Sequence, residues 1–395
     1  MRISERNCGE RSGRRKRFLV GRVLGFALVW LVSVPGQVWA DFPFLWWGDD
    51  EVRLEVDAQL DAGPGGMTIT PKGSYIVSLH QYYKTQERVV EITPDGEVLP
   101  FPGPLQPGSR VYPGLELDAV LGIQSDGDGV VWMLDNGRRN ETTPKLVAWD
   151  TSEDRLHKVI FMPPPYTRSN SFLNDLALDP VEPFVYITDP AAGGDAALIV
   201  VDLRNNLIRR VLTGHYSVVP EQGVEVRVDG RPVEVKRLDG TIFEPQAGAN
   251  PIAVDRKGRY VYFGPMKGHT LYRISTEYLR DADLPEADLA SRVEIYAGKP
   301  VCDGISIDSR GNIYVSDVGR GAIGVIDAKE RKYSVHISDP MLSWPDGPCF
   351  GTDGKLYFYT NQLHRSSIYN DGKNTVDTPF MIFKVKALAT GTVGR

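Results

Sequence analysis

Six copies of one segment dominate the chain beyond Asp41, and they restrict its fold more than any other feature. They begin at Gly66 (GMTITPKGSYIVSLH), Gly122 (GIQSDGDGVVWMLDNG), Asp175 (DLALDPVEPFVYITDP), Pro251 (PIAVDRKGRYVYFGP), Gly304 (GISIDSRGNIYVSDVG) and Gly347 (GPCFGTDGKLYFYTN). Within each copy, apolar residues alternate with small or polar ones at the period of two that marks a strand, and turn-forming pairs such as Asp-Gly and Lys-Gly separate two strands. A third strand follows each copy (for example KLVAWDTS and ALIVVDLRN), and most copies add a fourth, as at 156–161 and 207–212. A four-stranded unit repeating at roughly 40 to 55 residues is the size of a propeller blade. The expected fold is all-β, a six-bladed β-propeller over 41–395.

The sixth copy lacks an outer strand of its own, whereas 52–56 (VRLEV) is unassigned near the start. This N-terminal strand is expected to complete blade six and close the ring, removing the sheet edges that an open array exposes. A long spacing between the third and fourth copies marks an insert over 213–247, containing VEVRVDGRPVEV. An insert of this kind serves either as a lid or binding loop over one face or as a plain hairpin.

Ahead of the repeats, Arg14, Arg15, Lys16 and Arg17 precede an apolar run from Phe18 to Val34 and the sequence Val38-Trp39-Ala40. Basic head, apolar middle and small residues at the end read as a secretory signal over 1–40, cleaved after Ala40. The run is near the lower limit for spanning a bilayer, so an uncleaved anchor is the competing reading. With cleavage the mature protein is periplasmic or secreted and carries no stable membrane span. The formal charge of -6, with charges interspersed, argues against a nucleic-acid partner, which requires a concentrated basic face.

Cys302 and Cys349 fall on neighbouring inner strands about four residues out of step. At ~3.3 Å per residue that is about 13 Å along the strand, beyond the reach of a disulfide, so two buried free thiols are expected.

Aligning the copies brings one column into register just before the first strand: Gly65, Leu121, Asn174, Asn250, Asp303 and Asp346. These residues should ring one mouth of the channel, with four consecutive blades aiming amide or carboxylate oxygens at one point. Such a donor set suits a hard cation, Ca²⁺ foremost, with Zn²⁺ or Mg²⁺ as alternatives, and an ion would relieve repulsion between Asp303 and Asp346. The alternative is a solvated channel in which Asn and Asp cap turns. Asp135, Asp189 and Asp317, at second-strand ends, read as turn formers. His80 and His364 lie just past second strands of blades one and six and are candidates to meet a substrate at the same mouth, against a surface or core role for each. No G-x-S-x-G elbow and no Gly-rich phosphate loop occurs.

The segments SFLNDLALDP with YITDP, KPVCDGISIDSRGNIYVSD, and DPMLSWPDGPCFGTDGKLYFYTNQLHR resemble the yellow and major royal jelly protein family in its bacterial branch. The resemblance implies a six-bladed propeller and export. That family includes dopachrome-converting enzymes and proteins without catalytic roles. A more distant resemblance is to gluconolactonases and senescence marker proteins. It implies a metal at Asn250 and Asp303 with Asn174 near the substrate, while the family's Glu position falls on or near Gly65. Asp346 is then the candidate for the missing carboxylate and Asp303 the candidate general base. Three functions follow: a metal-assisted lactonase-like hydrolase or dopachrome-type tautomerase, a small-molecule binder with Tyr82, Tyr83 and Tyr216 at the entrance, or an interaction scaffold.

Overall fold

A computed structural model describes residues 52–191, 193–236 and 241–395. The expected signal segment, 1–40, lies outside the described residues. Six four-stranded antiparallel sheets succeed one another along the chain, each running from an inner to an outer strand in sequence order, except the last. The inner strands are Pro64–Ile69, Val120–Ser125, Leu176–Leu178, Ala249–Val254, Cys302–Ile307 and Pro345–Phe350. The fold is the expected six-bladed propeller.

Closure follows the expected route with a displaced register. The N-terminal strand is Glu55–Leu60 rather than 52–56, and it pairs antiparallel with Phe380–Val385 as the outer strand of blade six. Leu60 is buried at the end of that strand whereas Val56 is exposed, so the strand's buried apolar anchor lies at its C-terminal end.

The sheets hold together face to face. Trp132, Leu134 and Ile160 of blade two pack against Leu176, Val185 and Ile199 of blade three in one apolar layer, and similar layers fill other blade junctions. Each large side chain so buried contributes about 1.5–3 kcal/mol, which is why period-two alternation alone specifies the stack. Cys302 and Cys349 are buried and unbonded. Two short helices, Thr276–Arg280 and Glu286–Ala290, join the third and fourth strands of blade four.

At one end of the channel the segment 390–395 inserts among the inner strands. Thr68 Oγ1 donates to the Gly394 carbonyl (2.7 Å), Ser306 Oγ to that of Arg395 (2.9 Å), and Arg395 Nη1 donates to the Leu178 carbonyl (3.1 Å). Above it the channel keeps a cavity of about 60 Å³ that Asp175 and Asp346 line. Among the described residues no helix is long and apolar enough to cross a membrane.

Candidate functional site at the channel mouth

In five of the six blades the ring column falls at a repeated irregularity of the inner strand, while the inner strand of blade three, Leu176–Leu178, pairs without one. Pairing between first and second strands slips between Pro64 and Gly66, Val120 and Ile123, Ala249 and Ile252, Cys302 and Ile305, and Asp346 and Cys349. A bulge bends the strand and re-aims a side chain, and here it turns the ring residues toward the mouth. It also brings neighbouring blades into close contact. A Cβ on Gly304 would lie 2.8 Å from Asp346 Oδ1 and 3.1 Å from the Gly347 nitrogen, so the residue after Asp303 has no room for a side chain.

Three of the expected residues form a continuous hydrogen-bonded chain. Asn174 Nδ2 donates to Asn250 Oδ1, and Asn250 Nδ2 donates to Asp303 Oδ1. Trp344 Nε1 donates to Asp303 Oδ2 at 2.6 Å. Trp344 holds a left-handed backbone (φ 58°), a conformation costly for a bulky residue, and its ring stacks on His364. Asp346 accepts from Tyr359 OH (2.9 Å), from Asn361 Nδ2 (3.4 Å) and from the Gly347 N–H (2.7 Å).

The electrostatics are one-sided. Burial pushes the Asp303 carboxyl up, partly offset by hydrogen bonds from Trp344, Asn250 and Asn361. Asp346 is raised well above the usual range by burial and then by Asp303 and Asp175. Asp175 is raised to about 8 by burial and by Asp303. Among the described residues none of the three carboxyls forms an ion pair, and their shifts are led by burial. Asp175 stands where four other copies carry glycine and blade four carries proline, and that break in the column is the signal by which sequence reasoning could have found it.

The ring opens into a cavity of about 330 Å³. Asn174, Asn250, Asp303 and Asp346 line its floor, and Tyr82, Trp344 and Tyr369 supply aromatic wall, with ring centroids of Tyr82 and Tyr369 5.8 Å apart. His80 also lines it, only 5% exposed, and burial together with the neighbouring Arg139 lowers its pKa to about 3.

His364 does not reach the cavity. It lies behind Trp344, where its Nε2 meets Asp229 Oδ2 of the insert at 3.0 Å. Ser343 Oγ and Arg365 Nη2 also donate to that carboxylate. The insert is therefore a wall of the site: Val226 and Val235 line the cavity, while Val228 and Val233 bury beside Trp344 and Leu363. Of the tyrosines expected at the entrance, Tyr82 is there. Tyr83 instead donates to the Asn361 carbonyl, and Tyr216 packs on His215 and Tyr272.

Asp135, Asp189 and Asp317 hold loops. Asp135 accepts from the Asp118, Ala119 and Gly137 N–H groups and pairs with buried Lys145 at 2.8 Å, and Asp189 similarly pairs with Arg210 at 2.6 Å.

Comparison with known proteins adds three findings. A family described as major royal jelly protein matches over residues 119–393, more than half of the chain. Major royal jelly protein 1 of Apis mellifera is 24% identical over 173 residues, which are 40% of this chain and only 37% of that protein's length. Among solved structures, a gluconolactonase from Xanthomonas campestris superposes with a TM-score of 0.53 at 13% identity, covering 85% of this chain and 90% of its own. A Bacteroides thetaiotaomicron protein of unknown function gives 0.54 at 11% identity, covering 85% and 76%. At these identities the structural likeness establishes the fold alone.

Proposed function

The chain belongs to the major royal jelly protein family, and from that premise we propose that its channel mouth is a small-molecule site at which buried carboxylates work with a divalent cation on a carbonyl compound such as a lactone or a dopachrome-like ring. The observation that carries this reading is the group of three carboxyls, Asp175, Asp303 and Asp346, whose proton affinities burial and mutual repulsion raise and none of which is in an ion pair among the described residues. Buried charge of one sign calls for protons or a counter-ion.

The donor set is compatible with a hard ion. Among the described residues no three His, Cys, Asp or Glu side chains are grouped to hold a metal, so an ion at the mouth would rest on Asp303 and Asp346, joined by the amide oxygen of Asn250 only if that amide, whose Nδ2 faces Asp303, turned over. Two carboxylates and an amide are oxygen donors of the kind Ca²⁺ takes, with Mg²⁺ or Zn²⁺ as alternatives. When bound, such an ion polarises a carbonyl oxygen or lowers the pKa of a water. The chain itself orients the ligand through Asn174 and the aromatic wall. Asp303, whose carboxylate Asn250 and Trp344 fix in place, is the general base that takes up a proton.

The test is hydrolysis of a δ-lactone with Ca²⁺ present. Asp303→Asn should lose about 10²-fold or more in rate, the usual worth of a positioned acid or base. An unchanged rate refutes the catalytic role. A second reading, binding without chemistry, draws on the aromatic wall, where Trp344 and Tyr369 stack at 22°; ligand binding retained in Asp303→Asn without turnover in either protein favours it.

Export is part of the same proposal. The tripartite pattern of 1–40 supports it, and the N-terminal residue of protein recovered outside the cytoplasm tests it: Asp41 is expected, and an intact signal segment contradicts it.

A further inference from the structure

His80 follows the second strand of blade one and opens the helical turn Gln81–Tyr83. Its Nδ1 accepts the backbone N–H of Tyr82 at 3.2 Å. A backbone N–H can only donate, so Nδ1 carries a lone pair and the proton of a neutral ring resides on Nε2. The ring packs against Tyr82, with centroids 4.4 Å apart, and more distantly against Tyr83 at 6.3 Å. The charged group facing it from the neighbouring blade is Arg139, whose Nη2 donates to the Leu79 carbonyl (2.8 Å), one residue before His80. Among the described residues no carboxylate pairs with the ring to stabilise an imidazolium. Among the described residues Nε2 has no hydrogen-bond partner, and the residue lines the cavity of the channel mouth.

We propose that His80 is a fixed, permanently neutral donor whose Nε2–H meets an acceptor oxygen of the ligand, so that the cavity selects compounds placing a carbonyl oxygen at the blade-one side. Burial and Arg139, which hold the ring far below its ordinary pKa, agree with the geometry. A neutral imidazole held in one tautomer polarises a carbonyl without supplying a proton at neutral pH, a role distinct from that of a general acid. The floor of the same cavity offers the carboxylates of Asp303 and Asp346, which are acceptors when ionised. The cavity thereby combines a donor from blade one with acceptors from blades five and six. His80 is a positioning and polarising group here, and the inference rests on reading the cavity as a small-molecule site.

The test is long-range ¹H–¹⁵N correlation on the protein labelled at histidine, with the His80 ring assigned by its loss in His80→Gln. Between about pH 5 and 8 the ring should show only the Nε2–H pattern. Adding δ-valerolactone should move the Nε2 resonance, and tetrahydropyran, the same ring without the carbonyl, should leave it in place. An Nδ1–H pattern, protonation within that window, no response to the lactone, or an equal response to both probes overturns the proposal. Ion binding is read separately. A protein showing the Nε2–H ring and the lactone response but no response to any divalent ion refutes the cation reading and keeps this one.

Discussion

Trp344 Nε1 lies 2.6 Å from Asp303 Oδ2, tying the loop that enters blade six to the central carboxylate of blade five. Asn250 donates to the other oxygen of the same carboxylate, so Asp303 has a donor on each side. Trp344→Phe keeps an aromatic ring against His364 and removes the indole donor. A hydrogen bond to a charged group contributes about 1.5–3 kcal/mol, so unfolding in urea should show a loss of that order, with the Asp303 carboxyl raised further.

Asp175 gives a pH dependence whose sign is fixed. Its carboxyl is raised in the folded protein to about 8, above the ordinary carboxylate value, so its contribution to stability is full below about pH 4 and is lost as pH rises through 8. Asp175→Asn should abolish that loss. Measured with a chelator present, the variant is expected to be more stable than the parent at pH 8 by about 1–3 kcal/mol and to approach it near pH 4. Equal stability at both pH values would contradict the account.

The insert is held to blade six through Asp229, which accepts from Ser343, His364 and Arg365. The carboxylate is partly exposed, so Asp229→Ala should cost only about 1 kcal/mol globally. Its local effect should be larger. Amide exchange over 226–233 is expected to accelerate while the inner strand Cys302–Ile307 keeps its protection.

Gly304 sits against the next blade at the bulge, and a Cβ there meets Asp346 Oδ1 and the Gly347 nitrogen. Gly304→Ala should destabilise by about 1–3 kcal/mol, the usual cost of overpacking. Gly311→Ala, in an outer turn where the nearest atom to a new Cβ is 3.5 Å away, strains only its own backbone (φ 88°). Its cost comes from that torsion alone, so only Gly304→Ala should also change binding at the mouth.

Repetition made the fold legible, because each blade repeats the same alternation and the ring column falls at the same place in every copy. Asn174, Asn250 and Asp303 emerged from that alignment, and the structure joins them in one chain. Asp175 is not legible in the same way, because the first position of each repeat reads as a strand start, and only the assembled ring shows that its side chain lines the channel. Trp344 stood in a recognisable WPDG segment, yet its left-handed backbone and its bond to Asp303 depend on contacts between two blades. His364 was placed correctly in sequence, just past a second strand, but the insert's Asp229 draws it behind Trp344. The helix Glu286–Ala290 did carry a local signal, Pro285 followed by acidic residues in the first turn, that strand-period reading passed over.

The central claim, a cation held by the ring carboxylates, is tested most directly by thermal unfolding of chelator-treated protein titrated with Ca²⁺, Mg²⁺, Mn²⁺ and Zn²⁺, beside Asp303→Asn and Asp346→Asn. The account predicts that Ca²⁺ stabilises the parent by about 2.7 kcal/mol at a hundred times its Kd and that both folded variants lose the response. No stabilisation by any ion, or a response that survives in both variants, would contradict it.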